Sequence, residues 1–546
     1  MSPVGSSLVP LGHLAVTRVC DNEDMLNLDL AMLVGSVVAL VAVFAAFLGT
    51  RVGLPALLLF LFVGMGMGDS GLGFHFSNAT LAHQLGFAAL VLILAEGGLT
   101  TKWSEIRPSV GPAAMLATVG TLVSIAVMTG FGHWVLGLSL PVAALLGAVT
   151  APTDSAAVFS VLRGLPLPAS LRATLEAESG INDAPVVLLV ATFTGIATGH
   201  SLQGGPLLVA LLVVLELVGG ALLGLALGAV AVYLMPRVAL PASGLYPLAA
   251  ISWAVMAYGA GVFVHVSGFA AVYVCSVMIG NGKLPHRQAV RSFAEGIGWV
   301  SQIGLFVMLG LLASPSRLTM RTIAVGIGAG LFLTAVARPL AVFVSTVWFR
   351  LPWRHQAFLS WAGLRGAVPI ILATVPMSQH MANADVLFDV VLVFVIVFTA
   401  LQGPSLPWVG RRLGLVDPDS ARDVDIEAAP LDRINADLLQ VRVPEGSRMA
   451  GVTVAELRMP TNAVVSLVIR DGHSFSPNGR DVLRIGDELL IVTPTSERRL
   501  IETRLTEIGR GGRLAHWYGV RSPGIAEAPA RRPPGSAVRR RRLRGG

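Results

Sequence analysis

Two short stretches keep oxygen-bearing side chains where an apolar chain has little reason to hold them. In Thr150-Ala-Pro-Thr-Asp-Ser155, Asp154 is the only Asp, Glu, Lys or Arg between Arg107 and Arg163. A charged side chain at the centre of a membrane span costs roughly 3 kcal/mol unless it is paired or functional. Pro152 removes a backbone donor and interrupts the helix, so carbonyls are released where Thr153 and Asp154 add further oxygens. The second stretch is Glu176-Ala-Glu-Ser-Gly-Ile-Asn-Asp-Ala-Pro185. Here Glu178 and Asn182 are four residues apart and share a helix face, while Ser179 and Asp183 share the adjacent one. Hard monovalent cations want oxygen ligands, and a proton wants a carboxylate that burial can bring to titrate near working pH. One carboxylate that accepts either is enough for exchange: protonation releases the ion, and ion binding releases the proton. The structural alternatives are a helix-packing polar cluster at Asp154 and an Asp183 that only caps or bridges helices.

Arg338 in Ala337-Arg-Pro339 and Arg365 in Trp361-Ala-Gly-Leu-Arg-Gly-Ala-Val-Pro369 also fall inside apolar spans. A guanidinium stays charged in a protein, so each is expected to find an anion. Glu178 and Glu96 are the candidates, and the expected role of all four residues is a structural ion-pair set that holds the core together.

The elements that carry these residues are apolar segments near 27–49, 54–70, 80–100, 109–131, 139–161, 172–198, 206–234, 244–262, 266–281, 292–313, 321–348, 355–378 and 385–409. That makes thirteen spans, two of them short for the ~20 residues a crossing takes. Loops after odd-numbered spans hold thirteen Lys and Arg residues, and loops after even-numbered spans hold only Arg317 and Arg321. The positive-inside rule then puts the C-terminus in the cytoplasm and the N-terminus outside. Breaks recur in span five (Ala151-Pro152) and span twelve (Gly363 to Pro369). If spans 1–6 and 8–13 are repeats around span 7, these breaks occupy matching positions, the mark of an inverted-repeat transporter with its site at the midplane.

Composition agrees with that reading. Of 546 residues only 71 are charged, 31 in residues 1–410 and 40 in the last 136, against roughly 25% charged in a soluble protein; mean hydropathy is +0.73. The fold class expected is an all-α polytopic membrane transporter of about thirteen transmembrane helices with inverted repeats, plus a small cytoplasmic α/β regulatory domain. The net charge of +7 comes from loop and terminal arginines and forms no nucleic-acid stripe. No cleaved leader is read at the N-terminus. An intramembrane aspartyl protease is disfavoured, because neither aspartate follows a Tyr and no Gly-x-Gly-Asp element surrounds one.

The expected organisation is an extracellular segment at 1–26, the transmembrane exchanger at 27–412, a linker at 413–435, a regulatory domain at 436–508 and a disordered basic tail at 509–546. Within 436–508, strands are predicted at Leu438–Val443, Val464–Ile469 and Glu488–Val492, with a hairpin turn at Asp471-Gly472. A short helix is predicted from Val454 and a longer one over Ser496–Glu507.

At these residues the chain resembles the sodium/hydrogen exchanger group of monovalent cation/proton antiporters. The Thr-Asp pair of a broken fifth core helix is Thr153-Asp154; the Glu-Ser-Gly-x-Asn-Asp-Ala pattern is Glu178 to Ala184; the Gly-Leu-Arg-Gly-Ala pattern is Gly363 to Ala367. Ser155 departs from the Pro common in relatives, and Pro152 precedes the pair instead. The resemblance implies a homodimer in the plasma membrane that works by an elevator-like movement. It implies that Asp183 is the carboxylate shared by the monovalent cation and the proton. It also implies that Thr153, Asp154 and Ser179 line the site and that Asn182 replaces the second Asp of electrogenic relatives. Residues 436–508 are similar to the C-terminal half of domains that regulate potassium transport, the TrkA-C type. Exchangers with that appendage are similar to potassium/proton antiporters; sodium is the alternative cation, and a gated channel the alternative class. No Gly-x-Gly-x-x-Gly half precedes the appendage, so no dinucleotide cofactor is read; the expected regulatory partner is a small ligand such as a cyclic dinucleotide.

Overall fold

The computed structural model describes Asp29, Phe76 and residues 32–49, 55–68, 71–73, 78–154, 167–199, 205–415, 425–431, 436–460, 462–494 and 496–512. The expected N-terminal segment 1–26 and nearly all of the basic tail lie outside them, as does Ser155.

Among the described residues, nine helices are long and apolar enough to cross a bilayer, and four shorter apolar helices accompany them, thirteen in all. In chain order they are α1 (Met32–Gly49), α2 (Ala56–Met67), α3 (Ala79–Thr100), α4 (Arg107–Trp134), α5 (Leu140–Thr150), α6 (Ala169–Ala197), α7 (Gly205–Leu234), α8 (Leu245–Phe263), α9 (Gly268–Asn281), α10 (Arg287–Leu312) and α11 (Met320–Phe349). Two more complete the thirteen, α13 (Ala367–Ser378) and α14 (Ala384–Arg412); a fourteenth, shorter helix, α12 (Trp353–Trp361), precedes α13 as the first half of the twelfth span. Polar residues mark several starts. The side chain of Asn78 accepts from Leu81 N and opens α3, Ser267 opens α9, and Thr319 opens α11, each satisfying a donor the first turn leaves free.

The helices sort into two groups. In one, α2 and α3 pack on α10, and α9 packs on α3, α7 and α8. The closest approach is between α2 and α10: a Cβ on Gly64 would strike the Val307 carbonyl, and one on Gly310 the Leu61 carbonyl. Glycine lets two backbones meet where lipid offers no hydrophobic drive to association. The second group holds α4, α5, α6, α11, α13 and α14 and contains the interrupted spans. There α4 and α11 each carry one π-turn, Leu116–Gly120 and Leu333–Ala337. Spans four and eleven, like five and twelve, are the positions that two repeats around span seven would make equivalent. Outward faces remain apolar, with Phe44, Leu222 and Phe343 all more than half exposed, as a lipid-facing surface requires.

The chain divides into two compact units, Met1–Asp417 and Pro418–Gly546. The second is built on a five-stranded sheet of order β1-β2-β5-β3-β4, from β1 (Asp425–Leu431), β2 (Ala436–Arg442), β3 (Val464–Arg470), β4 (His473–Phe475) and β5 (Glu488–Pro494), with helix α15 (Arg498–Gly511). Leu439, Val441, Leu489, Ile491 and Val468 form its core with Ile501, Leu505 and Ile508 of α15. The hairpin turn is at Asp471 and Gly472, both at positive φ. One expectation is corrected: the stretch 413–435 read as a linker contains β1, which pairs antiparallel with β2 from Asp425↔Arg442 to Leu431↔Ala436. Acidic residues and Pro430 disguise it. Proline is tolerated there because β1 is an edge strand, where a missing N–H need not break the ladder.

Candidate functional site

Helix α5 stops at Thr150, and Ala151–Asp154 continue without helical bonding; α12 stops at Trp361, and Ala362–Gly366 are unwound before α13 begins. The two unwound stretches cross and bond each other. Asp154 N donates to Leu364 O at 3.0 Å. Ala367 N donates to Asp154 Oδ2 at 2.9 Å, and Arg365 Nε donates to Thr150 O at 3.1 Å. Each stretch thus supplies the charge that the other span's half-helix end favours. The Asp154 carboxylate meets the free N–H groups at the start of α13, and the Arg365 guanidinium meets a free carbonyl at the end of α5. These are the ends where a helix carries roughly half a positive and half a negative charge.

Helix α6 runs past this crossing and is tied to it. Ser179 Oγ donates to Thr153 O at 2.6 Å, and Asn182 Nδ2 donates to Thr153 Oγ1 at 2.8 Å. Asp183 follows, 4% exposed. Asp183 Oδ1 and Asn182 Oδ1 are buried and accept no hydrogen bond from the described residues. Buried oxygens without donors are costly, and a cation or a proton supplies what they lack. Thr153, Asp154, Ser179 and Asn182 are therefore brought together at one crossing, with Asp183 next to Asn182 on α6.

The four residues expected to form structural ion pairs divide differently. Arg338 makes a bidentate pair with Glu178, Nη1 to Oε1 at 2.5 Å and Nη2 to Oε2 at 2.9 Å, and also donates to Leu359 O. Both side chains are at most 5% exposed. Arg365 corrects the expectation that each arginine finds a carboxylate: its hydrogen bonds go to the Thr150 and Gly363 carbonyls. Main-chain oxygens at a helix end do the work, and no sequence pattern displays them. Glu96 is brought to another neighbour, against Gly298 of α10.

Two neighbours of the site and one buried carboxylate elsewhere went unread. Thr399 of α14 donates to Arg365 O at 2.5 Å and fixes the unwound stretch from behind; a threonine in an apolar span carries no signal of that. Tyr273 of α9 lies on Gly180, within 2.7 Å of where a Cβ would be. Asp389, 5% exposed in span thirteen, pairs with Arg317 at 3.3 Å. The rule that singled out Asp154, a carboxylate within an apolar run, would have found it.

The transmembrane sodium/hydrogen exchanger family profile matches residues 37–412, and the TrkA-C domain profile matches residues 438–505. The chain belongs to the sodium/hydrogen exchanger family. It is a multi-pass membrane protein with a TrkA-C domain at its C-terminal side. It is 36% identical over 487 residues to the K(+)/H(+) antiporter NhaP of Alkalimonas amylolytica, covering 88% of this chain and 83% of that protein. It is 31% identical over 497 residues to the K(+)/H(+) antiporter NhaP2 of Shewanella oneidensis, covering 89% and 85%. Its fold matches the sodium proton antiporter MjNhaP1 from Methanocaldococcus jannaschii with a TM-score of 0.59 at 20% identity, over 70% of this chain and 99% of that one.

Gly366 tests the crossing. A Cβ there would fall on the Asp154 carboxylate, so Gly366→Ala must push Asp154 off Ala367 N. Loss of one charge-assisted hydrogen bond, about 1.5–3 kcal/mol, corresponds to roughly tenfold or more in rate. Vesicle exchange by purified Gly366→Ala is expected to fall by that factor; a wild-type rate would show that Asp154 need not hold α13.

Proposed function

We propose that the chain is a potassium/proton antiporter of the plasma membrane, exchanging one cytoplasmic K+ for one external H+ at Asp183. The observation that carries this is the Asp183 oxygen, buried without a donor, beside Asn182 and Thr153 at the crossing of two broken helices. A carboxylate held there binds either a proton or a cation, and the loss of one admits the other. The remaining charges are committed elsewhere: Asp154 to the start of α13, Arg365 to the end of α5, and Arg338 and Glu178 to each other. Asn182 adds no second titrating group, so the exchange is electroneutral. Potassium as the cation rests on the two K(+)/H(+) antiporter relatives, which share the C-terminal side as well as the membrane region. The functional unit is a homodimer in the bilayer, with its C-terminus cytoplasmic and its N-terminus outside. In proteoliposomes that carry an acid-inside pH gradient, external K+ is expected to dissipate the gradient at lower concentration than Na+ or Li+. A preference for Na+ would reassign the cation and leave the exchange mechanism standing.

The second unit regulates transport and does not perform it. A ligand such as a cyclic dinucleotide acts there by binding active and inactive states with different affinity. Deletion of residues 418–546, the whole of that unit, is expected to leave K+/H+ exchange in place and to shift its pH or ligand dependence. Loss of all exchange from a correctly inserted truncation would make the unit part of the transport machinery.

A further inference from the structure

Behind the Arg338–Glu178 pair the bundle encloses a small cavity that the exchange chemistry does not use. Its polar wall is Thr334 from the π-turn of α11, Arg338, Ser360, Gly363, Arg365 and Gln402 of α14, and Leu333 and Phe394 close the rest. It has room for about one small occupant.

The wall is rich in donors. Arg338 spends Nη1 and Nη2 on Glu178 and Leu359 O, but its Nε–H, in a residue 4% exposed, has no acceptor among the described residues. Gln402 Nε2 donates to Thr334 Oγ1, which leaves the Thr334 hydroxyl hydrogen free to point inward. Gly363 keeps the space open: a Cβ there would lie 2.7 Å from Arg338 Nε and 2.9 Å from Arg365 Nη1. It is a cradle that any other residue would fill. Two guanidiniums converge on it, and among the described residues only one of them has a carboxylate partner, Glu178. Positive charge and unspent donors therefore face the same buried space. Ser360 Oγ, whose hydrogen goes to Gln356 O, and the Gln402 side-chain oxygen offer a water acceptors; what favours an anion is the second guanidinium, which has no carboxylate partner among the described residues.

We propose that this cavity binds a halide-sized monovalent anion, chloride in the cell, held by Arg338 Nε–H, the Arg365 guanidinium and the Thr334 hydroxyl. The anion separates the two arginines and stiffens the junction between the π-turn of α11 and the unwound stretch beside the transport site. It is not transported, and the proposal stands whichever cation the exchanger carries.

The test is thermal melting of the purified full chain at fixed ionic strength and fixed K+, with chloride or bromide replacing gluconate. The melting midpoint is expected to rise saturably with halide. Thr334→Val, which keeps the shape and removes the hydroxyl, should raise the half-saturating halide concentration about fivefold, as the loss of one hydrogen bond does, with exchange unchanged. Gln402→Leu, which frees the Thr334 hydroxyl from its partner, provides a second variant should the first fail to fold, and should also shift the halide response. A crystal grown in bromide should show one anomalous peak between Arg338 and Arg365. Equal midpoints in gluconate and halide, a halide response unaltered in both variants, or a bromide-free cavity would each overturn the proposal.

Discussion

Asp183→Asn is expected to reduce proton-coupled cation exchange to the level of protein-free vesicles while leaving a folded, inserted protein. The side chain is 4% exposed and its Oδ1 has no donor among the described residues. The amide has nearly the same shape and keeps one oxygen, so Ser179, Asn182 and Thr153 need not move. It cannot take up or release a proton, and its oxygen carries no net charge to hold a cation. It also removes a charge from a buried position, so the melting midpoint of the variant should equal or exceed that of the wild type. Both readings come from one purification: dissipation of a pH gradient in proteoliposomes, and thermal melting in detergent. Exchange at wild-type rates with normal melting would remove Asp183 from the mechanism and leave Asp154 as the remaining carboxylate at the crossing.

Arg338→Ala is expected to damage the fold far more than ion affinity. Removing one partner of a buried bidentate pair leaves the other charge without compensation, at roughly 3–5 kcal/mol, a large part of a typical domain's stability of about 5–15 kcal/mol. Here the orphan is Glu178, one residue before Ser179, so low yield and a lowered melting midpoint should precede any change in cation constant. Because the penalty arises from the unpaired carboxylate, Glu178→Ala added to Arg338→Ala should recover part of the lost stability, a coupling that a double-mutant cycle measures. A normally melting Arg338→Ala with an altered cation constant would instead place the guanidinium at the transported ion.

Much of this was legible in the sequence because membrane physics makes charge conspicuous. Asp154 and Asp183 stood out as carboxylates in apolar runs, and the breaks around Pro152 and Gly363 marked spans five and twelve, whose unwound stretches cross. Helix spacing put the oxygens of Ser179, Asn182 and Asp183 toward one side of their helix, but that Ser179 and Asn182 both bond Thr153 is a tertiary fact. What stayed hidden has a common cause. Arg365 bonds to the Thr150 and Gly363 carbonyls, and every residue has a carbonyl, so composition cannot reveal which one is free. The choice between Glu178 and Glu96 for Arg338 depended on which helices touch, a tertiary fact with no local signature. The π-turns of α4 and α11 leave the 3.6-residue pattern nearly intact in spans that are apolar on all sides. Strand β1 was lost to its Asp, Glu and Pro content, which an edge strand permits and a linker shares.

The central claim is that cation and proton use one carboxylate in turn. The most direct measurement follows both ions in the same proteoliposomes, rubidium standing in for potassium and a trapped dye reporting internal pH, with the membrane potential clamped at several values. Coupled exchange at Asp183 predicts one proton moved for each rubidium ion, in opposite directions, at a ratio and rate that do not change with the potential. Rubidium flux without proton counter-flow, or a rate that rises steeply with the potential, would contradict it.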